Sequence, residues 1–236
     1  MFRQAKRLLL EFGIEVRKLP LHEAYLLQRY YKNGCSVCVV QIGAGDGASD
    51  DPFFPLLQRL TWRGVMVEPH PEIFERLRRR YSMKPSVKLE QCAVSDANGT
   101  ATLHAVDSNL PDAPYFADQI GSLNRSNVLK HGDRINDLAR HVHEIPIRTT
   151  TYADLVDKHG IQSIDALIID TEGYDAKVVH QALALSRVPV GMIYFEHVHL
   201  PARELEDCVA ALNAAGYRVD AADSTNTVAV RKLGAD

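Results

Sequence analysis

The chain has 236 residues, a formal net charge of −3, and 24% charged against 46% hydrophobic residues. That length suits one larger α/β domain with a sizeable buried core, and the proportions exclude a disordered or fibrous chain. The near-neutral balance excludes a broad basic field for nucleic acid or an anionic membrane, and no apolar run approaches a membrane span.

Residues 1–33 read as one or two helices ahead of the first strand, an N-terminal helical extension. The run Leu8-Leu9-Leu10, followed by Glu11, is too short for a signal peptide, so a cytoplasmic location is expected. Cys35-Ser-Val-Cys38 has the spacing of a redox or zinc pair. No second pair accompanies it and Cys38 belongs to the first strand, so a structural role is expected.

From residue 36 onward strand-like and helix-like segments alternate. Residues 37–42 form a continuous apolar strand and 52–61 a helix; 64–68 form the second strand and 71–81 a helix. Within that helix, Arg76-Leu77-Arg78-Arg79-Arg80 reads as a solvated face. Residues 87–93 are the third strand, 164–170 the fourth and 190–196 the fifth, with helices over 174–186 and 201–215. Gly216 supplies a C-terminal cap. Residues 217–222 and 227–232 are two last strands, joined too tightly for a parallel crossover and therefore an antiparallel hairpin. Strands apolar nearly throughout belong to a parallel sheet covered on both faces. The expected fold is α/β, a doubly wound, mostly parallel seven-stranded sheet with an antiparallel terminal hairpin strand.

Residues 99–150 fall outside the alternation: a hairpin-like piece at 100–104, a Pro/Asp/Asn-rich loop at 108–118 and a polar helix near 125–140. A cap or lid insertion over about 105–143 of a single domain spanning 34–236 is expected. Thr151, with Asp154 three residues on, reads as a helix start.

The stretch Val39-Val40-Gln41-Ile42-Gly43-Ala44-Gly45-Asp46-Gly47-Ala48 sits after the first strand, where doubly wound sheets bind ligands. Its glycines satisfy both G-x-G-x-x-G/A, used for dinucleotides, and G-x-G-x-G, used for S-adenosyl-L-methionine. Glu68, ending the second strand, is placed to accept the ribose hydroxyls of either. Asp46, Asp50 and Asp51 would repel a pyrophosphate but not an ammonium or sulfonium. The terminal hairpin also replaces the second mononucleotide-binding half that a dinucleotide fold needs. S-adenosyl-L-methionine is the expected cofactor; an NAD-dependent oxidoreductase and a non-catalytic binding module are the rival readings. Asp51-Pro52-Phe53-Phe54 looks like the Asp-Pro-Pro-Tyr of amino-methylating nucleic-acid enzymes. It follows the wrong strand for that role.

Together QIGAGDG, VMVEPHP, CAVSDANG, IRTTTYADL and IIDTEGYD resemble, in that order, the FkbM-type family of S-adenosylmethionine-dependent methyltransferases over residues 36–220. The resemblance implies a class I methyltransferase fold and transfer to a hydroxyl oxygen of a small molecule, sugar or natural product. The expected cofactor set is Gln41, Gly43, Ala44, Gly45, Gly47, Glu68, Pro69, Cys92, Ala93 and Asp170. Ser122, in the family-like Ile120-Gly-Ser-Leu-Asn124, is expected to close over the cofactor. Asp170, Glu172 and His197 are the expected catalytic groups, with His197 or Glu172 as base. In an extended segment His197 and His199 point one way and Glu196 the other. A divalent metal held by Asp170, Glu196 and His199 is the alternative way to activate the hydroxyl.

Overall fold

The structure, a computed structural model, describes residues 19–107, 114 and 116–231. The expected helix within residues 1–18, most of the 108–118 loop and the strand end at Lys232 lie outside the described residues.

In chain order the elements begin with α1 (Leu21–Lys32), β1 (Val37–Ile42), α2 (Phe54–Leu57), β2 (Trp62–Val67), α3 (Pro71–Arg80), β3 (Val87–Glu90), β4 (Ala93–Val94) and β5 (Gly99–Val106). There follow β6 (Gly121–Ser122), α4 (Arg125–Leu129), α5 (Leu138–His141), β7 (Val142–Thr150), α6 (Tyr152–Lys158) and β8 (Ile164–Ile169). The chain continues with α7 (Asp175–Ala184), β9 (Val190–Glu196), α8 (Ala202–Ala214), β10 (Tyr217–Ala221) and β11 (Asn226–Arg231).

Seven strands form one sheet in the order β10-β11-β9-β8-β1-β2-β3. The pairs from β9 to β3 are parallel, and β11 enters antiparallel between β9 and β10. This is the doubly wound sheet with an antiparallel terminal hairpin. All six residues of β1 and of β8 are buried, because alternate side chains enter two different cores. Cys38, Val40 and Ile42 pack with α6, α7 and α8, whereas Val37 and Val39 pack with α1 and α3. At the opposite end of the sheet from the site described below, the buried carboxylate of Asp165 accepts Arg29 Nε at 2.9 Å, Asn33 Nδ2 at 3.0 Å and the Cys38 amide at 2.9 Å. Those contacts tie α1 across the sheet.

A second sheet, β4-β7-β5-β6, occupies the segment between β3 and α6. Three departures from the sequence expectations lie here. The third strand is not continuous: it stops at Glu90, and Ala93–Val94 pair with Thr149–Thr150 of β7 in the other sheet. The residues at the break are held from outside the main sheet, with Arg148 Nη2 donating to the Gln91 carbonyl at 3.0 Å. The long strand β7 had no sequence counterpart. It carries Pro146, which removes a ladder donor and argues against a strand. The proline is tolerated because only Thr149 and Thr150 of β7 pair on the β4 side. The polar helix expected near 125–140 is divided into α4, a 3₁₀ turn at Lys130–Asp133 and α5. Thr151 does cap α6: its hydroxyl accepts the Asp154 amide at 3.1 Å. Among the described residues, no helix is long and apolar enough to cross a membrane.

Candidate active site at the carboxyl end of the sheet

The tips of β1, β2 and β8 frame a cleft of about 430 Å³, counted out to its open mouth. It lies where strand order leaves β1 in two directions, towards β2 and towards β8, the usual ligand position in such sheets. Gly43, Pro69, Cys92, Ala93 and Asp170 line it, with Leu103 and Leu123 contributed by the inserted segment. Burial pushes the Cys92 thiol up to about 11, so it stays neutral and presents an apolar surface. Of the expected cofactor residues, Gln41, Ala44, Gly45, Gly47, Glu68 and Ser122 border the cleft without being among its lining residues; Gln41 and Ala44 are buried next to the loop, and Gln41 Nε2 donates to Asp51 at 3.3 Å.

The glycines have separable reasons. All three adopt positive φ: +77° at Gly43, +54° at Gly45 and +77° at Gly47. A Cβ on Gly43 would overlap the carbonyl oxygen of Asp170, and one on Gly47 would come within 2.6 Å of Leu77 on α3 and of Tyr81, which caps that helix. What crowds those two backbones is protein: the end of β8 in one case and a helix in the other. Gly45 is different. Its amide donates to Glu68 Oε2 at 2.9 Å, and a Cβ there would meet only the side-chain oxygen of Gln119 at 3.0 Å.

Glu68 follows β2. Its second oxygen, Oε1, accepts the His70 amide at 2.8 Å. The residue is 7% exposed, and burial pushes its pKa up to about 7 against the pull of the two amides. Each oxygen has one further acceptor direction beyond the amide it already holds.

The loop after β8 carries the carboxylates. Glu172 sits at φ +54° and Gly173 at +103°, a backbone that must be held from outside. Asp175, fully buried at the first turn of α7, accepts the Thr171 amide at 3.2 Å, the Thr171 hydroxyl at 2.9 Å and the Gly173 amide at 3.1 Å. From the inserted segment, Ser122 Oγ and Asn127 Nδ2 each donate to the Glu172 carbonyl at 2.8 Å. Gly173 makes this possible, since a Cβ there would overlap the Asn127 amide. Ser122 therefore serves the loop directly. Arg76 Nη1, 2.6 Å from Asp118, is a further tie to the inserted segment, so the basic stretch of α3 is only partly a solvated face.

Asp170 meets solvent in the cleft, yet protein surrounds it closely. That burial, and then the charges of Glu172, Asp175 and Glu68, hold its pKa well above the usual carboxylate range. Burial also drives Glu196 upward, with Asp170 and Glu172 adding to it. Glu172 goes the other way: burial would raise it, but the imidazoles of His131 and His199 outweigh that and take it down.

The expected orientation of the histidines is corrected. Glu196 ends β9, and the chain then turns, with the Leu200 amide donating to the His197 carbonyl at 3.1 Å. Period-2 alternation does not survive a turn. His199 Nε2 therefore lies 3.6 Å from Glu196 and 2.9 Å from Glu172. His197 is turned to β11, its Nδ1 2.9 Å from the Thr227 hydroxyl. Of the three catalytic candidates, Asp170 and Glu172 are brought together and His197 is not.

Sequence reasoning passes over Asp175, Asn127 and His131. An acid opening a helix just after glycine is a signal for Asp175. Asn127 and His131 lie in a polar stretch with no periodicity to mark them.

A methyltransferase FkbM domain matches residues 41–219. No match was found among curated proteins. Among solved structures, the methyltransferase FkbM of Methylobacillus flagellatus KT aligns at 14% identity and TM-score 0.49, covering 85% of this chain. This chain spans 46% of that protein's length. Precorrin-6y C5,15-methyltransferase of Geobacter metallireducens GS-15 aligns at 12% identity and TM-score 0.41, with 84% of this chain and 81% of that one covered. With the domain match extending over most of its length, the chain belongs to the FkbM methyltransferase family.

Proposed function

We propose that this chain transfers the methyl group of S-adenosyl-L-methionine to a hydroxyl oxygen of a small molecule, sugar or natural product, with neither nucleic acid nor membrane as partner. The observation that carries the reading is Glu68: a buried acid at the tip of β2, held by two amides, with acceptor capacity left on both oxygens for a ribose diol. Pro69, Cys92 and Ala93 supply an apolar surface suited to a flat heterocycle beside that diol. When bound, the cofactor supplies a methyl group already activated by a sulfonium.

The protein's task is then alignment, exclusion of water and removal of one proton. Leu103 and Leu123 line the cleft from the inserted segment and narrow its access to water. Glu172 is engaged by His131 and His199, and His197 by Thr227. Asp170 lines the cleft with no hydrogen-bond partner for its carboxylate among the described residues, and the burial and neighbouring charges that raise its pKa make its ionised form a stronger base, suited to take the proton of the incoming hydroxyl.

A ligand of the native state raises its melting temperature. S-adenosyl-L-methionine should do so and NAD should not; the reverse result would replace methyl transfer with hydride transfer. Labelled S-adenosyl-L-methionine and fractionated alcohols and saccharides then identify the acceptor. Asp170→Asn should lower turnover about a hundredfold, the lower end of general-base contributions, with cofactor affinity within a few-fold of wild type. Unchanged turnover would clear Asp170 of the proton-accepting role.

A further inference from the structure

Three separate parts of the chain meet at one point beside the cleft. His131 comes from the 3₁₀ turn of the inserted segment, Glu172 from the loop after β8, and His199 from the turn after β9. His199 Nε2 is 2.9 Å and His131 Nε2 3.6 Å from the same oxygen, Glu172 Oε2, and Glu196 Oε2 is 3.6 Å from His199 Nε2. The donor atoms of His131, Glu172 and His199 all lie within 4.8 Å of one another. His131 Nε2, Glu172 Oε2 and Glu196 Oε2 are buried, and none completes a hydrogen bond among the described residues. Buried polar atoms are rarely left so, and an ion held among them would partner all three.

We propose that His131, Glu172 and His199, with Glu196 as fourth ligand, bind a divalent transition-metal ion of the zinc class. Two imidazoles and two carboxylates suit zinc, iron or nickel, whereas magnesium and calcium favour oxygen donors alone. At metal–ligand distances of about 2.0–2.2 Å, neighbouring donors on a tetrahedron stand about 3.3–3.6 Å apart. Three donor pairs, His199–Glu172, His131–Glu172 and Glu196–His199, stand 2.9 to 3.6 Å apart, close to that range, and His131 and His199 lie within 4.8 Å of each other; Glu196 stands outside that group of three and must swing inward to complete the ligand set. The ligands are also supported from outside. Ser122 and Asn127 fix the Glu172 backbone, and Lys130 Nζ donates to the His199 carbonyl at 3.2 Å. The ion fastens the inserted segment to the carboxyl end of the sheet. His131 is the ligand that gives it this bridging role, because the other three sit on the loops of β8 and β9.

The test is made on the full chain without cofactor, so it stands or falls apart from the methyl-transfer reading. Chelator-treated protein is titrated with Zn²⁺ by calorimetry and by thermal melting. One ion per chain and a rise of several degrees in melting temperature are expected. His131→Ala and His199→Ala should each weaken binding at least a hundredfold, while His143→Ala, outside the cluster, should not. Cobalt substitution should give the intense visible absorption of a four-coordinate site. If His131→Ala is poorly folded, Glu196→Gln, which keeps its size, should still weaken binding at least tenfold. No stoichiometric binding, or binding indifferent to His131, His199 and Glu196 alike, would mean that these groups form a plain imidazolium–carboxylate cluster, and the metal site would be discarded.

Discussion

Glu68→Ala is expected to weaken S-adenosyl-L-methionine binding about 10²- to 10⁴-fold while the protein stays folded. Hydrogen bonds to a charged group contribute about 1.5–3 kcal/mol each, and two ribose hydroxyls on one carboxylate therefore about 3–6 kcal/mol, at 1.4 kcal/mol per decade of affinity. Calorimetric titration of the variant checks this, and wild-type affinity would remove Glu68 from the site. The pH dependence is a second signature. Before the cofactor enters, burial holds the Glu68 pKa near 7; donated hydroxyls favour the charged form and pull it down. Binding then requires ionisation, so affinity should fall by up to about tenfold per unit below pH 7 and level off above it. The variant should lose that slope.

The same shift acts on folding. Glu68 titrates at an ordinary 4.5 when unfolded and about 7 when folded. A raised pKa contributes stability that is fully present below pH 4.5 and is lost as pH rises through 7, on the order of 3 kcal/mol in all. Thermal melts across that window should show wild type losing ground to Glu68→Ala as pH rises. The opposite trend would mean that the carboxylate is charged throughout.

Legibility in the sequence followed how local the cause was. β1, β8 and β9 are readable because burial on both faces forces an unbroken apolar run, and the final hairpin because its connection is too short for anything else. Glu68 and the glycine loop are readable because each lies at a strand end, a position fixed by chain order. β7 is not readable, because Pro146 contradicts its own strand and only pairing with β5 overrules it. The split after Glu90 depends on a partner far along the chain, Thr149, which pairs with Ala93. His199 stands out by residue type, but its direction is not readable, because no glycine or proline within residues 197–200 marks the turn after Glu196. His131 gave no signal at all: its relation to Glu172 exists only once the inserted segment has docked, through Asn127 entering the space that Gly173 leaves free.

Gly43→Ala is expected to damage the fold rather than the cofactor site selectively. The left-handed φ of +77° costs an alanine about 1–2 kcal/mol. Its Cβ would in addition collide with the Asp170 carbonyl, and overpacking of that kind costs about 1–3 kcal/mol or more. Neither backbone can step aside, because the Gly43 amide donates to Val67 and the Asp170 amide to Ile42, each at 2.9 Å, at the ends of adjacent ladders. A loss of about 2–5 kcal/mol, at about 2–4 °C per kcal/mol for a chain this size, lowers the melting temperature by about 4–20 °C. Gly45→Ala pays only for its φ, since the single atom in its way ends the flexible Gln119 side chain. Its melting temperature should drop by about 2–8 °C, with the larger loss in cofactor affinity, because a shift of the Gly45 backbone moves the amide that holds Glu68. If instead Gly43→Ala melted like wild type and only failed to bind cofactor, the glycine would be clearing space for a ligand, and the packing of β1 against the end of β8 would not be what requires it.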